Sequence, residues 1–241
     1  MTHGYYTRIT LLEQVGYREW TESLGSDREW FIQGTQAELY AVLQNVAAKH
    51  NAFPMAARYD YMLILTSNVS PEAHVELLEV IKKYSKVGVR MVSVCGRTPL
   101  EAEAKALTLL SRVSVGSLAY VECPGEELSL IAHLDLNNVT GITKDIGVIK
   151  AYHKILELIG RIARIAEQEG GVIQYLGGDN VLVILPTINY IALVERLLVE
   201  DDLKAGVGIA RTPRESLKLA ARALHDIRMD RSRRVVAYAT F

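Results

Sequence analysis

The chain repeats itself, and this repeat constrains its fold more than any other feature. The stretch VRMVSVCGRTPLEAEAKALTLL at 89–110 matches LKAGVGIARTPRESLKLAARAL at 203–224. In both, an apolar run typical of a strand leads through Arg-Thr-Pro into a helix rich in alanine and leucine. The repeat predicts a tandem duplication, so the 241 residues should form two similar halves.

Each repeated helix should begin with a capping box. The pattern is an N-cap threonine, a proline at the first helical position and a returning glutamate. It occurs at Thr98, Pro99 and Glu101, and again at Thr212, Pro213 and Glu215. Further towards the start of each half, Asp60 in DYMLIL matches Asp179 in DNVLVI, and Glu13 in ITLLEQVG matches Asp135 in IAHLDLNN.

Hydrophobic periodicity gives both halves the element order of a split βαβ plan with a terminal extension. In the second half we predict strands at about 128–136, 172–176, 180–185, 203–210 and 233–240, and helices at about 147–168, 188–199 and 213–228. In the first half we predict strands near 7–13, 53–58, 61–66, 88–95 and 116–122.

The predicted fold class is therefore α+β, with two tandem ferredoxin-like (palm-type) βαββαβ sandwiches related by internal duplication. The first should span 1–122 and the second 128–241, with the boundary in the Cys-Pro-Gly-Glu-Glu segment between them. We expect each half to place its helices on one face of a mixed sheet and to leave the other face open.

Basic and acidic residues nearly balance, with 27 Lys and Arg against 28 Asp and Glu. This leaves no basic field for a polyanion, so we expect no nucleic-acid partner. The start lacks the features of a signal peptide, and no segment has about 18 uninterrupted apolar residues. We therefore expect a cytoplasmic protein with no membrane partner. With only two cysteines, Cys95 and Cys123, we expect both to be reduced and structural.

Acidic residues stand at two points where apolar strands end. Side chains alternate along a strand, so His133, Asp135 and Asn137 should share one face, while the leucines between them face the helices. A hairpin beside this strand would bring Asp179 to the same edge. Two close carboxylates repel each other unless a cation bridges them, and Mg²⁺ prefers carboxylate and phosphate oxygens. This predicts a metal-bound nucleotide; alternatively, each acid only stabilises a turn.

The succession AHLDLNNVTG, YLGGDN, KAGVGIARTPRE and ALHDIR resembles the archaeal GTP cyclohydrolase III family, also called GTP cyclohydrolase IIa. The resemblance covers nearly the whole chain and is densest from 131 to 228. That family is distantly similar to GGDEF and class III nucleotide cyclase palm domains. The resemblance implies that Asp135 and Asp179 bind metal, with the carbonyl of Leu136 as a further ligand, and that Arg228 contacts the triphosphate.

The activity implied by the resemblance is opening of the imidazole ring of GTP. Water adds at C8 and two phosphates are released, giving 2-amino-5-formylamino-6-(5-phosphoribosylamino)pyrimidin-4(3H)-one. Mg²⁺ is the implied cofactor, with two or more ions allowed for and a monovalent cation as a further candidate. The product would feed flavin and deazaflavin coenzyme synthesis. We also expect a homo-oligomer.

Several further residues are candidates for the site. His133 is a candidate general base, because its imidazole titrates near neutral pH, or else a structural residue. Asn137 and Asn138 either bind the guanine edge or shape the turn after the strand. Substrate contacts are also predicted for Gly177, Gly178 and Arg211, although Arg211 could instead pair with a neighbouring carboxylate.

The first half departs from the pattern of the second. Glu13 stands where an aspartate is expected, and Arg58-Tyr-Asp60-Tyr replaces the Gly-Gly-Asp-Asn turn. We expect the second half to hold the main metal site and the first half to complete the pocket.

Two other functions fit the same acids. A purine nucleotide cyclase would use them for attack by a ribose 3′-hydroxyl on the α-phosphate. Against the GGDEF version of that reaction, Asn180 and Val181 follow Asp179. A non-catalytic sensor would simply bind GTP.

Overall fold

Each half of the chain forms a five-stranded sheet in the computed structural model, which describes residues 4–199, 203–230 and 232–240. The chain divides into two compact units. One consists of Met1–Gly96 with Glu101–Glu127, and the other of Arg97–Leu100 with Leu128–Phe241.

The first sheet has the strand order β2-β3-β1-β4-β5, antiparallel except for the parallel pair β4–β5. The elements of this half are β1 (Thr7–Val15), α1 (Tyr17–Ser23), α2 (Glu29–Lys49), β2 (Phe53–Met55), β3 (Tyr61–Leu65), α3 (Pro71–Tyr84), β4 (Gly88–Gly96), α4 (Pro99–Leu110) and β5 (Leu118–Tyr120).

The second sheet repeats this order as β7-β8-β6-β9-β10, with β9–β10 as its parallel pair. Its elements are β6 (Ser129–Leu136), α5 (Val139–Ile146), α6 (Val148–Gln168), β7 (Val172–Gly177), β8 (Asn180–Ile184), α7 (Tyr190–Leu198), β9 (Leu203–Ala210), α8 (Pro213–Met229) and β10 (Val235–Ala239). The α+β class and the repeated plan are confirmed, whereas helix α5 was missing from the sequence prediction.

The central strands of the two sheets are in matching register. Glu13 on β1 lies opposite Tyr61, and Asp135 on β6 lies opposite Asn180. In both halves the opposite residue is the one that directly follows the hairpin acid. The alignment of the two halves made from sequence is therefore also the alignment of their hydrogen-bonded strands.

Helices cover both faces of the second sheet, so the prediction of an open face was wrong. Leu134 and Leu136 pack with α6 and α7 in the main core, as the alternation predicted. On the opposite face, Gly206 and Gly208 of β9 lie directly against the backbone of α8. A Cβ at either glycine would collide with that backbone. Two small residues therefore let a helix cover the face expected to be free.

The first sheet is also covered on both faces. Leu12 packs with α2 and α3, whereas Leu11 and Val92 on the other side pack with Ala106 and Leu110 of α4. The periodicity of α4 showed that it was amphipathic, but not which face of the sheet it would cover.

The repeated helices begin where the sequence predicted, with Pro99 opening α4 and Pro213 opening α8. The side-chain bonds of the second cap differ from those of a capping box. The Thr212 hydroxyl lies 3.0 Å from Glu215 Oε2 and does not bond to the backbone of the first turn. The fixed φ of proline therefore marks this helix start more directly than the threonine does.

Cys95 and Cys123 are joined in a disulfide, with Cα atoms 5.4 Å apart, so the expectation of two reduced cysteines was wrong. Their separation of 28 residues in sequence is misleading, because β5 pairs in parallel with β4. Ser93 lies opposite Tyr120, and the chain beyond each strand end brings the two cysteines together. A count of cysteines could not reveal this neighbourhood.

A fully buried arginine organises the polar interior of the first unit. The guanidinium of Arg8 donates to Glu127 Oε1 at 2.7 and 3.0 Å and to the carbonyl of Val121 at 2.9 Å. It also lies over the ring of Tyr120, 4.2 Å from its centroid. The second oxygen of Glu127 accepts from the amide of Asn68 at 2.7 Å. The buried charge is therefore both paired and hydrogen-bonded.

His74 lies buried beside this arginine and must stay neutral. Its Nδ1 donates to the carbonyl of Ser70 at 2.8 Å, which leaves Nε2 to accept from the Ser93 hydroxyl at 3.0 Å. Burial lowers the pKa of His74 from 6.5 to about 4, against the effect of the Ser70 bond, and the charge of Arg8 also lowers it. Between pH 6.5 and about 4, His74 is therefore protonated in the unfolded chain but neutral in the folded chain.

This histidine predicts a loss of stability in acid. Its contribution is complete above pH 6.5 and is lost as the pH falls towards about 4, because only the unfolded form is protonated in that window. The loss amounts to about 3 kcal/mol in the free energy of unfolding. Denaturant titrations at several pH values should show a shallower pH dependence in His74→Gln. The exposed control His153→Gln should keep the wild-type slope, and equal slopes in all three proteins would contradict the assignment.

In the part of the chain that the structure describes, none of the helices combines the length and apolarity required to cross a bilayer.

Candidate functional site

One of the two predicted acids lies at the end of the central strand under the last turn of α8. Asp135 is 7% exposed, and its Oδ1 accepts a hydrogen bond of 2.8 Å from Arg228 Nη2. The arginine side chain is half exposed. Asp135 is thus held by a half-exposed cation at the edge of the site, in place of the open solvent that the sequence led us to expect.

A hairpin holds the second acid, Asp179, beside the end of β6. The amide of Leu136 donates to the backbone carbonyl of Asp179 at 2.9 Å, so the turn is fixed against the end of β6. Gly177 ends β7 at a shift of the strand register and Gly178 opens the turn; their φ values are 101° and 60°, which glycine adopts without steric cost. The structure thus gives both glycines a conformational reason to be there.

A neutral hydrogen-bond chain holds the side chain of Asp179. Asn180 Nδ2 donates to Asp179 Oδ1 at 2.6 Å, and Asn180 Oδ1 lies 2.9 Å from His133 Nε2. The amide orientation makes His133 Nε2 the donor, which leaves Nδ1 as the nitrogen that can accept a proton. Burial lowers the pKa of His133, against the hydrogen bond that the imidazole donates to Asn180 and the charge of Asp135. The neutral imidazole is therefore the form present at neutral pH.

A cavity of about 220 Å³ opens beside the same strand end, on the side of α5 and α6. It is lined by Leu136, Asn137, Val139, Ile142, Ala151, Lys154, Ile155, Glu157, Leu158 and Arg161. Six of the ten lining residues are apolar, and the other four are Asn137, Lys154, Glu157 and Arg161, so the wall is both apolar and polar.

The two asparagines predicted to share one role are in different environments. Asn137 lines the cavity, because β6 ends at Leu136 and the alternation of faces ends with it. Asn138 caps α5 with a left-handed φ of 58°, and its side chain lies where a Cβ of Gly141 would otherwise be. The turn-shaping alternative therefore describes Asn138, whereas Asn137 lines the cavity.

Most of the predicted site residues meet at one end of the sheet, but Arg211 does not. It follows Ala210, which pairs with Ser129 at the opposite end of β6 from Asp135. The strand rise puts about 20 Å between those ends. The structure therefore separates Arg211 from the acids that it was predicted to assist.

Asn180 and the cavity between α5 and α6 were not identified from sequence. Asn180 was noted only as a departure from another motif, although its place opposite Asp135 follows from the hairpin register. Lys154, Glu157 and Arg161 lie on a helix whose amphipathic pattern indicated only a core. No local signal in the sequence reveals a cavity between two helices.

The acids at this end of the sheet fit a hard divalent cation. The candidate ligands are the carboxylates of Asp135 and Asp179 and the backbone carbonyl of Leu136. All of their donor atoms are oxygens, which hard cations prefer. Mg²⁺ takes few ligands from the protein and completes its shell with water and phosphate oxygens.

A second group of potential ligands does not fit a metal. Among the described residues, the three-ligand group of His, Cys, Asp or Glu is Cys95, Cys123 and Glu127. Both sulfurs are bonded to each other, and Glu127 is bound to Arg8 and Asn68.

In the first half, the corresponding acid already has a cation. Arg90 Nε donates to Glu13 Oε2 at 2.6 Å, Arg90 Nη1 donates to the carbonyl of Val113 at 3.2 Å, and the Tyr61 hydroxyl donates to Glu13 Oε1 at 3.0 Å. Asp60 pairs with Arg58. The side chains of Glu13 and Arg90 are 14% and 20% exposed. This half therefore neutralises its acids internally.

Glu13→Gln should consequently affect stability more than chemistry. The substitution leaves the guanidinium of Arg90 with little solvent and no counter-ion, which we expect to cost about 2 kcal/mol, between the values for exposed and fully buried pairs. Denaturant unfolding measures the loss, and steady-state turnover should stay near wild type. A loss of turnover without a loss of stability would contradict a structural role for Glu13.

The sequence matches the family model described as GTP cyclohydrolase III over residues 9–240. A curated protein of that name from Aeropyrum pernix is 50% identical over 222 residues, covering 92% of both chains. Another, from Sulfurisphaera tokodaii, is 33% identical over 228 residues, covering 95% of this chain and 96% of its own.

Solved structures resemble the chain over about half of its length. The active GGEEF domain of a diguanylate cyclase from Vibrio cholerae is 13% identical, with a TM-score of 0.39, and covers 47% of this chain and 85% of its own. A dimeric guanylyl cyclase domain from Blastocladiella emersonii is 14% identical, with a TM-score of 0.38, and covers 49% of this chain and 80% of its own.

Proposed function

Because this chain belongs to the GTP cyclohydrolase III family and is therefore an enzyme that acts on GTP, we propose that it hydrolyses the imidazole ring of GTP at C8 with Mg²⁺ as cofactor. One water enters to break the C8–N9 bond, which leaves the formyl group on the nitrogen that was N7. One further water is consumed for each of the two phosphates released. The product is 2-amino-5-formylamino-6-(5-phosphoribosylamino)pyrimidin-4(3H)-one, a precursor suited to flavin and deazaflavin synthesis.

The observation that carries this proposal is that the paired acids and the cavity meet at one strand end. Asp135 is followed directly by Leu136 and Asn137, both of which line the cavity. In the proposed complex, guanine occupies the cavity and the polyphosphate extends around the end of β6 to the acids. The amide of Asn137 offers a donor and an acceptor to the guanine edge.

The polyphosphate at the other end of the nucleotide would lie beside Asp135, Asp179 and Arg228. The two carboxylates and the carbonyl of Leu136 would hold Mg²⁺, which neutralises phosphate oxygens and can lower the pKa of a bound water. Arg228 binds phosphate oxygens through its planar fork of donors. Together these groups fix the triphosphate while the base is held in the cavity.

Proton transfer falls to His133 in this proposal. Its Nε2 is engaged with Asn180 at 2.9 Å, so Nδ1 is the nitrogen that takes a proton from a water beside the acid pair, on the face of the sheet that His133 shares with Asp135. Its lowered pKa keeps the imidazole neutral and able to accept at neutral pH. The contact with Asn180 also fixes the amide that holds Asp179, so His133 serves both the water and the acid pair.

The reaction products test this proposal directly. Purified protein is incubated with GTP and Mg²⁺, and ultraviolet absorbance, free phosphate and the nucleotide mass are followed. Loss of the purine absorbance with two phosphates per GTP, abolished by EDTA, is the expected result. Pyrophosphate with a cyclic nucleotide would indicate a cyclase, and unchanged GTP a sensor; either outcome would refute the proposal.

A further inference from the structure

The ion pair between Asp135 and Arg228 occupies the same carboxylate that the proposed function assigns to a cation. Arg228 is the penultimate residue of α8, and its side chain is 52% exposed while that of Asp135 is 10% exposed. Among the described residues, Asp135 is the one hydrogen-bond partner of this guanidinium. One end of the pair is therefore fixed in the sheet, whereas the other can move into solvent without breaking a second hydrogen bond.

The equivalent acid of the first half shows what a permanent pair looks like. Arg90 extends from a neighbouring strand, and its guanidinium is held by both Glu13 and the carbonyl of Val113. Both side chains are largely buried, and Tyr61 provides Glu13 with another donor. By comparison, Arg228 stands on the last turn of a helix with one hydrogen bond. The Glu13–Arg90 pair is therefore fixed by several hydrogen bonds, whereas the Asp135–Arg228 pair depends on one.

The partner of the other acid is neutral. Asp179 is bound by the amide of Asn180, which His133 orients, so its negative charge is not cancelled. When Arg228 is in place, the acid pair together with the arginine carries one net negative charge. When Arg228 leaves, the pair carries two, which matches a divalent ion. Departure of the arginine thus creates the charge that would attract the metal.

We propose that Arg228 exchanges partners during substrate binding: it neutralises Asp135 in the nucleotide-free enzyme, moves to the polyphosphate of the incoming nucleotide, and so releases Asp135 for the divalent cation. This rests on the proposed function, because it assumes that Asp135 and Asp179 hold the ion. Arg228 is then a positioning residue that couples two ligands. The nucleotide strengthens cation binding, and the cation strengthens nucleotide binding by the same factor.

The exchange predicts opposite effects on the two affinities when the arginine is removed. Arg228→Met keeps the length of the side chain but not its charge, and its exposed position should leave the fold intact. For Mg²⁺ without nucleotide, we expect the dissociation constant to fall by about tenfold, which corresponds to about 1.4 kcal/mol. For GTP in EDTA, we expect it to rise by about tenfold. A simple phosphate contact would change only the second value.

Calorimetric titration of each ligand alone provides a readout that does not depend on turnover. Wild type, Arg228→Met, Asp135→Asn and the matched control Lys218→Met are compared, with circular dichroism to verify folding. Lys218 is an exposed cation on the same helix and should leave both affinities at the wild-type value. Asp135→Asn should abolish Mg²⁺ binding.

The outcomes separate the two proposals. Tighter Mg²⁺ binding and weaker GTP binding in Arg228→Met support the exchange. If Asp135→Asn abolishes Mg²⁺ binding but Arg228→Met leaves the Mg²⁺ affinity unchanged or weaker, the exchange is overturned and the proposed metal site stands. If Asp135→Asn leaves Mg²⁺ binding intact, or if Mg²⁺ does not bind to any of the four proteins, the metal site and the exchange are both overturned.

Discussion

Replacing Asp135 by asparagine should lower GTP turnover by about 10³-fold or more, a loss typical of removing a charged group from a preorganised site. The shape of the side chain is retained, so the effect comes from the lost negative charge beside the polyphosphate. Asp179→Asn should have a similar effect, because the two carboxylates act on the same cation. Turnover is measured under saturating GTP and Mg²⁺.

The control for this experiment removes a carboxylate outside the site, to show whether the loss of turnover depends on the position of the charge. Asp230→Asn removes an exposed carboxylate just beyond α8 and should retain wild-type turnover. Thermal melting of each variant verifies the fold. If both Asp135→Asn and Asp179→Asn turn over GTP at the wild-type rate, these acids do not form the catalytic pair.

Replacing Glu127 by glutamine should give the largest loss of stability. Arg8 is fully buried, and both of its bonds of 2.7 and 3.0 Å to a carboxylate end on Glu127. Removing one partner of a buried ion pair leaves the other charge without compensation, at a cost of about 3–5 kcal/mol. Denaturant unfolding should measure this loss, which is a large part of the stability of a typical domain.

The neighbouring glutamate offers a matched control. Glu126 is exposed, and Glu126→Gln should change the free energy of unfolding by less than about 0.5 kcal/mol. A double variant in which Arg8 and Glu127 are both replaced by apolar residues should recover part of the loss, since no buried charge then remains. Equal stability of Glu127→Gln and Glu126→Gln would show that Arg8 does not depend on its ion pair.

The sequence alone predicted the elements well, because their signals are local. The alternation in β9 and the proline that opens α8 place both elements within a residue or two of their observed bounds. The internal repeat then predicted the same order of elements for both halves. Helix α5 was missed because it is short and follows the strand through the left-handed Asn138, which ends periodicity without a glycine or proline.

The environment of the acids could not be predicted in the same way, since it depends on how distant elements pack. The sequence grouped His133, Asp135 and Asp179, and the structure brings them to one end of the sheet. It did not show that Arg228 would lie 2.8 Å from Asp135, because the two residues meet only when α8 crosses the sheet. Nor did it show that Asn180 would link His133 to Asp179.

The glycines of β9 make ligand affinity sensitive to substitutions far from any ligand. Gly206 and Gly208 allow the backbone of α8 to touch the sheet, and the same helix carries Arg228 at its far end. Alanine at either position would tilt α8 outwards and withdraw the guanidinium from Asp135. Mutational surveys of this enzyme should therefore find binding defects at buried glycines as well as among the charged residues at the end of β6.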